Sequence, residues 1–154
     1  MWRSKLELNH HSIFISAPID AVGAQIVLWG EASWWPKRCS MKFIPEDGGE
    51  IKVGKKFKQK VLFPSAPSWT VCVTRLILNR EIERTFLDGI FSGKETVTTK
   101  NVAQGTQVDY VMDFKINGSF NQVLWRIIFR RLHDRNIKLI LRSLKDFMEK
   151  KSLK

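Results

Sequence analysis

The reading of this chain turns on residues 119–151, SFNQVLWRIIFRRLHDRNIKLILRSLKDFMEKK. Ser119-Phe120-Asn121-Gln122 has the spacing of a capping box, in which the Ser hydroxyl and the Gln side chain satisfy free amides at a helix start. Apolar residues then recur at helical spacing: Val123, Leu124 and Trp125, Ile128 and Phe129, Leu132, Leu139 and Ile140, Leu144, Phe147 and Met148. No Gly or Pro interrupts the run. About 30 helical residues at a rise of 1.5 Å make a rod of roughly 45 Å, enough to cross a small domain. The spacing therefore predicts one long C-terminal helix whose apolar stripe needs a partner surface.

Most of the chain upstream of it reads as strands. Leu6 to Ser16 is a first strand ending in Ile13-Phe14-Ile15. Ala17-Pro18 then opens a helix, because proline near the first helical position forfeits no hydrogen bond and Asp20 suits the positive end of the dipole. Ile19, Val22, Ile26 and Trp29 share one face of this helix, Gly30 stops it, and Glu31 to Trp35 reads as a second short helical turn before Pro36. A meander follows: Met41 to Ile44, Lys52 to Phe63, Trp69 to Leu78, Ile82 to Asp88, Ile90 to Val102 and Thr106 to Ile116, with turns at residues 45–50, 64–67, 79–80 and 103–105. Lys52 to Phe63 alternates, with Val53, Phe57, Val61 and Phe63 facing a core and Lys52, Lys56, Lys58 and Lys60 facing water. The expected order is β, αα, six β, long α.

The length of 154 residues bounds this to a single domain, 1–154, large enough to bury a core. No apolar run approaches the ~18–20 residues a membrane span requires, and Met1 to Glu7 lacks the apolar region of a signal peptide. Cys39 and Cys72 are not spaced as a metal or redox motif and read as buried free thiols, so a cytoplasmic address is the default expectation. His10 and His11 are adjacent, so on a strand they point to opposite faces and cannot share a metal; His133, between Leu132 and Asp134, reads as solvated. HExxH, GxSxG, P-loop and GxGxxG patterns are absent. Neither a metal nor a cofactor is expected, while acid/base chemistry without a cofactor stays open.

The formal charge of +11 makes anionic partners worth weighing. Much of it sits in the last helix, from Arg126 to Lys151, where it also fits the solvated face such a helix must have. Nucleic acid is disfavoured, because the lysine face lacks interleaved aromatics for base stacking. A membrane surface is a candidate, with the tip Phe63-Pro64-Ser65-Ala66-Pro67-Ser68-Trp69 dipping into lipid while basic residues hold the headgroups.

The order of elements resembles the α+β helix-grip fold, in which a curved antiparallel sheet of about seven strands wraps a long C-terminal helix, with two short helices after the first strand. Residues 14–22, FISAPIDAV, are similar to the strand-to-helix entry of the START-like (Bet v 1-like, SRPBCC) superfamily, especially its polyketide cyclase/dehydrase and lipid-transport branch. Trp34-Trp35-Pro36, Asp88-Gly89-Ile90-Phe91-Ser92-Gly93 and Gly105-Thr106-Gln107-Val108 carry the same resemblance. One departure is Val97, where related sequences tend to have an aromatic. The resemblance implies an internal apolar cavity between sheet and helix that holds a hydrophobic or amphipathic small molecule. Carriers, ligand sensors and cyclases or dehydratases share that fold, which does not choose among them.

Alternation carries the apolar face through Phe57, Gln59, Val61 and Phe63; Trp69, Val71 and Val73; Phe91, Glu95 and Val97; and Tyr110, Met112 and Phe114. The helix would close the cavity with Trp125, Phe129 and Leu132. Trp34 or Trp69 would meet a ligand near its wide end, with Trp35 a further ligand-binding candidate. The polar members of this face need partners if they are buried. Arg84 shares parity with Ile82 and Phe86, and Arg75 with Val73 and Ile77, so either could pair with Glu95 and anchor a ligand headgroup. Should the chain be an enzyme, Glu95 would act as general acid or base and Tyr110 would donate to a developing enolate oxygen. A one-residue slip of register would turn these side chains to solvent instead. The first expectation is a carrier or sensor of a lipid-like, polyketide-like or aromatic molecule. The alternatives are a cyclase, dehydratase or isomerase, or a basic lipid-transfer protein that docks on membranes.

Overall fold

Seven strands make up most of the chain before residue 117: Glu7–Ile15 (β1), Met41–Pro45 (β2), Lys56–Val61 (β3), Ser68–Ile77 (β4), Glu81–Phe86 (β5), Phe91–Val102 (β6) and Gly105–Ile116 (β7). They form one antiparallel sheet in the order β1-β7-β6-β5-β4-β3-β2, so the first strand closes against the last. The computed structural model describes residues 5–153; Met1 to Ser4, read above for a leader segment, lie outside the described residues. The sheet curls into a half-barrel around the C-terminal helix, which is the α+β helix-grip architecture.

The helices follow their apolar faces. Ile19–Ile26 (α1) begins after Pro18 and buries Val22, Gly23 and Ile26. The C-terminal helix runs as Ser119–Leu124 (α2), a π-helical segment Trp125–Phe129, and Arg130–Ser152 (α3). Trp125, Ile137, Ile140, Leu141, Leu144 and Met148 are buried, and α3 lies against β1. Removing a side chain such as Ile137, Ile140 or Leu144 from water contributes roughly 2 kcal/mol each, which ties the far two-thirds of the helix to the sheet.

Several expectations need correction. No second short helix follows α1: residues 27–31 and 33–38 are mostly turns, with Gly30 at φ +94° and Trp29 and Trp34 buried beneath them. The capping box is not formed. Gly118, at φ +86°, is the cap position and Ser119 is already helical, while Gln122 and Asn121 reach back to the Ile116 and Asn117 carbonyls. Val53 and Phe63 are exposed, because β3 is shorter than the alternation implied and turns take over on both sides of it. Val123 and Ile128 also face solvent, since the π-helical turn advances the helix by one residue and shifts the apolar stripe.

Cys39 is buried and Cys72 half-buried, both free. Burial pushes the Cys39 thiol up to about 11, against a hydrogen bond from the Met41 backbone, so it is a packing residue rather than a nucleophile. No helix among the described residues is long and apolar enough to cross a membrane.

Candidate functional site

The inner face of the sheet and the start of the C-terminal helix meet around a cavity lined by Met41, Val61, Pro67, Trp69, Ile90, Phe91, Trp125, Phe129, Leu132, His133 and Asn136. Each wall has its own origin. Met41 begins β2, Val61 ends β3, Trp69 is the second residue of β4 and Phe91 begins β6, so the sheet contributes the ends of four strands. Trp125 and Phe129 bound the π-helical segment, and Leu132, His133 and Asn136 lie one and two turns further on. The aromatic rings interlock edge to face, with centroids 4.8 Å apart for Trp69 and Phe91 and 5.3 Å for Phe91 and Trp125. Between them the cavity has about 20 Å³, room for a single water.

A polar cluster stands directly behind this apolar wall. Arg84 and Glu95 are opposite each other across β5 and β6, and Gln59 and Trp69 across β3 and β4. Tyr110 faces Val97, one step along from Glu95. Trp69 Nε1 donates to Gln59 Oε1, Gln59 Nε2 donates to Glu95 Oε1 at 2.7 Å, and Tyr110 OH donates to Glu95 Oε2 at 3.0 Å. The Tyr110 oxygen is 3.5 Å from His133 Nε2. A chain of polar atoms thus runs inward from two cavity-wall residues, Trp69 and His133, and converges on one carboxyl group.

Arg84 lies at the inner end, with no exposed surface. Its guanidinium sits over the rings of Phe43 and Phe57, at 5.1 and 5.4 Å. One terminal nitrogen donates to the Trp29 carbonyl, and the other is 3.8 Å from Glu95 Oε1. Nε and Nη1 have no hydrogen-bond partner among the described residues. Arginine does not give up its proton in a protein, so this buried charge depends on Glu95 and on the aromatic faces. Burial raises the Glu95 carboxyl above its ordinary range, opposed by Arg84 and by the Tyr110 and Gln59 hydrogen bonds. Burial likewise raises the Tyr110 hydroxyl, reinforced by Glu95.

His133 was expected in solvent and is instead part of the cavity wall, with ring centroids 5.8 Å from Tyr110 and 5.6 Å from Trp125. Burial lowers its pKa to about 4, against the pull of Asp134, so the ring is neutral near neutral pH. Its phase gives the reason: Phe129, His133, Ile137 and Ile140 fall at i, i+4, i+8 and i+11 on one helix face. Asn136, also missed, is buried and bonds to Ser40, its amide donating to the Ser40 hydroxyl at 2.9 Å.

The remaining sequence candidates are distributed around this site. Val61, Trp69, Phe91, Trp125, Phe129 and Leu132 line the cavity, and Gln59, Arg84, Glu95 and Tyr110 form the cluster behind it. Phe57, Val71, Val97, Met112 and Phe114 are buried core outside the cavity wall. Trp34 and Trp35 are also outside it. Trp34 packs edge-on against Trp29 and donates to Gln25, and Trp35 packs on Phe43 and donates to the Met41 carbonyl. Phe63 is on the exposed loop after β3. Arg75 is turned outward by an irregularity in the β4–β5 register between Val73 and Arg75, and it pairs with Glu81 at 3.3 Å, so Glu95 has Arg84 as its partner. His10 and His11 bond to different acids, Asp109 and Asp134, and no metal-binding cluster occurs among the described residues.

No protein-family model and no curated protein matches this sequence. Solved structures resemble it along almost its whole length. The Zhui aromatase/cyclase from Streptomyces superposes with a TM-score of 0.72 at 18% identity, covering 96% of each chain. A Thalictrum norcoclaurine synthase mutant in complex with a transition-state analogue gives 0.73 at 10% identity, covering 99% of each. A START superfamily protein from Mycobacterium smegmatis gives 0.66 at 9% identity, covering 93% of this chain and 97% of the other. Identities this low speak to backbone architecture alone. With the curled seven-stranded sheet and the helix it holds, these likenesses identify the architecture of this chain as the START-like, or Bet v 1-like, helix-grip fold.

Proposed function

We propose that the protein binds a hydrophobic or amphipathic small molecule in the cavity between the sheet and the C-terminal helix, as a carrier or sensor. The observation that carries this reading is the composition of the site: an aromatic wall of Trp69, Phe91, Trp125 and Phe129, with a few convergent polar groups behind it. The apolar wall supplies affinity by burial, while His133 and Asn136 are the polar side chains a headgroup would meet first. The related folds point to the same class: one solved relative is described as an aromatase/cyclase and another as a START superfamily protein. Occupation requires the wall to move, because the closed cavity admits one water and a small-molecule site spans roughly 300–1,000 Å³.

Native mass spectrometry before and after denaturation with solvent extraction tests the reading. A small molecule released only on denaturation is expected, and its mass gives the ligand class. In parallel, the neutral dye phenylnaphthylamine is expected to bind saturably, and more tightly to Phe129→Ala, which widens the cavity. A clean apo mass together with dye binding that neither saturates nor responds to Phe129→Ala would sink the proposal.

One observation favours a second reading, an acid/base enzyme of the cyclase, dehydratase or isomerase kind. His133 is a neutral imidazole on the cavity wall, with the Tyr110 hydroxyl and Glu95 behind it. In this reading His133 exchanges the proton with the substrate, and Tyr110 and Glu95 set its orientation. Glu95 itself does not line the cavity, so direct proton transfer from it, as read from the sequence, would need a side chain to move aside.

A further inference from the structure

The outward face of the C-terminal helix is divided in an unusual way. Its first third, from α2 through the π-helical segment, exposes Phe120 (73%), Val123 (52%) and Ile127 (65%), and α2 has no buried residue. Arg126 and Arg130 are exposed on either side of Ile127, and from Arg131 the helix carries a basic row: Arg131, Arg135, Lys138 and Arg142 stand at i, i+4, i+7 and i+11, all exposed, along one shallow groove of α3. None of the four makes an ion pair with a described residue. Asp134, the acid in that groove, is taken up by Asn9 and His11. The surface is thus an apolar end joined to an unneutralised row of cations.

The apolar end adjoins the cavity. Phe120, Leu124 and Phe129 border a second depression with Ser65, Pro67 and Ile90, and three of these, Pro67, Ile90 and Phe129, also line the cavity itself. The 62–67 loop on the other side of that depression exposes Leu62 and Phe63.

We infer that this face docks on an anionic lipid bilayer, with Phe120, Val123 and Ile127 entering the interface and Arg131, Arg135, Lys138 and Arg142 lying on the headgroup phosphates. The docked orientation brings the depression that shares Pro67, Ile90 and Phe129 with the cavity to the lipid, which relies on the binding reading above for its purpose but not for its test. Two features choose a bilayer over a polyanion such as nucleic acid. A phosphate backbone uses the cations but leaves Phe120 and Ile127 exposed, whereas a lipid interface accommodates both. The apolar and cationic parts are also consecutive on one helix, so a single plane can touch both. The helix cations are among those the sequence named, but the apolar element is the helix start rather than the 63–69 tip, and the strand lysines take no part. The lysines of β3 point away on the sheet, and Trp69 of the 63–69 tip is buried.

Co-sedimentation with vesicles of phosphatidylcholine and phosphatidylserine in equal parts, against pure phosphatidylcholine vesicles, tests the inference. Wild type is expected to bind the anionic vesicles at low salt and to lose them at high salt. Arg135→Glu/Lys138→Glu is expected to lower the partition coefficient by roughly tenfold or more, and Phe120→Ser/Ile127→Ser by a similar factor. Lys58→Glu/Lys60→Glu on the sheet should change it by less than about twofold beyond the general charge effect. All these positions are exposed, and circular dichroism confirms that each variant is folded. No preference of wild type for anionic vesicles overturns the proposal, as does equal loss in the helix and sheet charge reversals. Binding to mixed-sequence duplex DNA without vesicle binding, abolished by the helix reversal, would also overturn it and assign the ridge to nucleic acid. Phenylnaphthylamine uptake from solution is measured on the same variants. Uptake kept with docking absent refutes docking alone, and docking kept with uptake absent refutes the cavity reading alone.

Discussion

His133 offers the most direct test of the site's electrostatics. Its ring faces Tyr110 and Trp125 in the cavity wall, with Asp134 beside it in the chain and His11 across on β1. Burial lowers its pKa from 6.5 to about 4; Asp134 works against the shift and His11 adds to it. The folded state therefore keeps the ring neutral where the unfolded chain has already taken a proton. The resulting stability is fully present above 6.5 and is lost as pH falls toward 4. At about 1.36 kcal/mol per pH unit the whole interval corresponds to about 3 kcal/mol, and the partial exposure of the ring reduces this to about 2. Other groups titrate elsewhere or in the other direction. Asp109, Asp134, Glu83 and Glu149 have lowered values and act below the usual carboxylate range. Glu95, with its raised value, loses stability as pH rises above 4.5, and it is present in both proteins being compared. The assay is urea unfolding of wild type and His133→Phe at a series of pH values between 6.5 and 4.5. Wild type is expected to lose about 2 kcal/mol relative to the variant over that range, roughly a thirtyfold change in the folding equilibrium. Parallel profiles would mean that the ring is solvated in the folded state, and the argument for a neutral cavity imidazole would fall.

Two further outcomes follow from the buried cluster and the helix. Glu95→Gln leaves the Arg84 guanidinium buried without a counter-charge and is expected to destabilise by about 3–5 kcal/mol, while Arg84→Met/Glu95→Gln should return to within about 1 kcal/mol of wild type. Additive losses in that cycle would show that the two groups do not depend on each other. Amides of residues 119–124 are expected to exchange hydrogen at least about tenfold faster than those of 137–148, because α2 buries no side chain while Ile137, Ile140, Leu144 and Met148 lock the later turns. Uniform protection along the helix would mean that its first third is held as firmly as the rest.

The fold was legible because its signals are long and redundant. Period-two alternation over β6 and β7 fixed both the strands and their inner face, and the apolar spacing from Leu139 to Met148 fixed the helix. Glu95–Arg84 was one of the two pairings that parity allowed, and regular antiparallel pairing preserves that parity from Glu81 to Thr85. Arg75 was ambiguous for the converse reason: the irregularity after Val73 leaves no mark in the composition of β4, yet it moves every later residue to the other face. The capping box failed because Gly118, with its positive φ, starts the helix one residue earlier and leaves the Ser-x-x-Gln spacing out of phase. His133 was lost among its charged neighbours, although its spacing from Phe129 and Ile137 pointed inward. The π-helical turn lies where two aromatic residues and three aliphatics or cations follow one another, and no residue type there announces an extra residue per turn. Sequence pattern thus located the elements, while the identity of the cavity wall depended on single-residue shifts that pattern does not record.

The closed cavity and the exposed helix end are two aspects of one problem. Opening by the sheet would break cross-strand hydrogen bonds and the chain from Trp69 through Gln59 to Glu95. Opening by the helix would move Trp125 and Phe129, which lie in a π-helical segment preceded by a helix with no buried residue. The Trp125 indole nitrogen donates a 3.2 Å hydrogen bond to the Glu7 carboxylate. The helical wall is therefore the less costly one to displace, at the expense of showing two more aromatic rings to solvent. A lipid interface removes that expense, because rings exposed there are not exposed to water. Any preference of the docked surface for the open cavity is then a coupling free energy, and it is reciprocal. A ligand that favours the open wall must strengthen vesicle binding by the same factor by which vesicles strengthen ligand binding, whereas a ligand that seals the wall must weaken both.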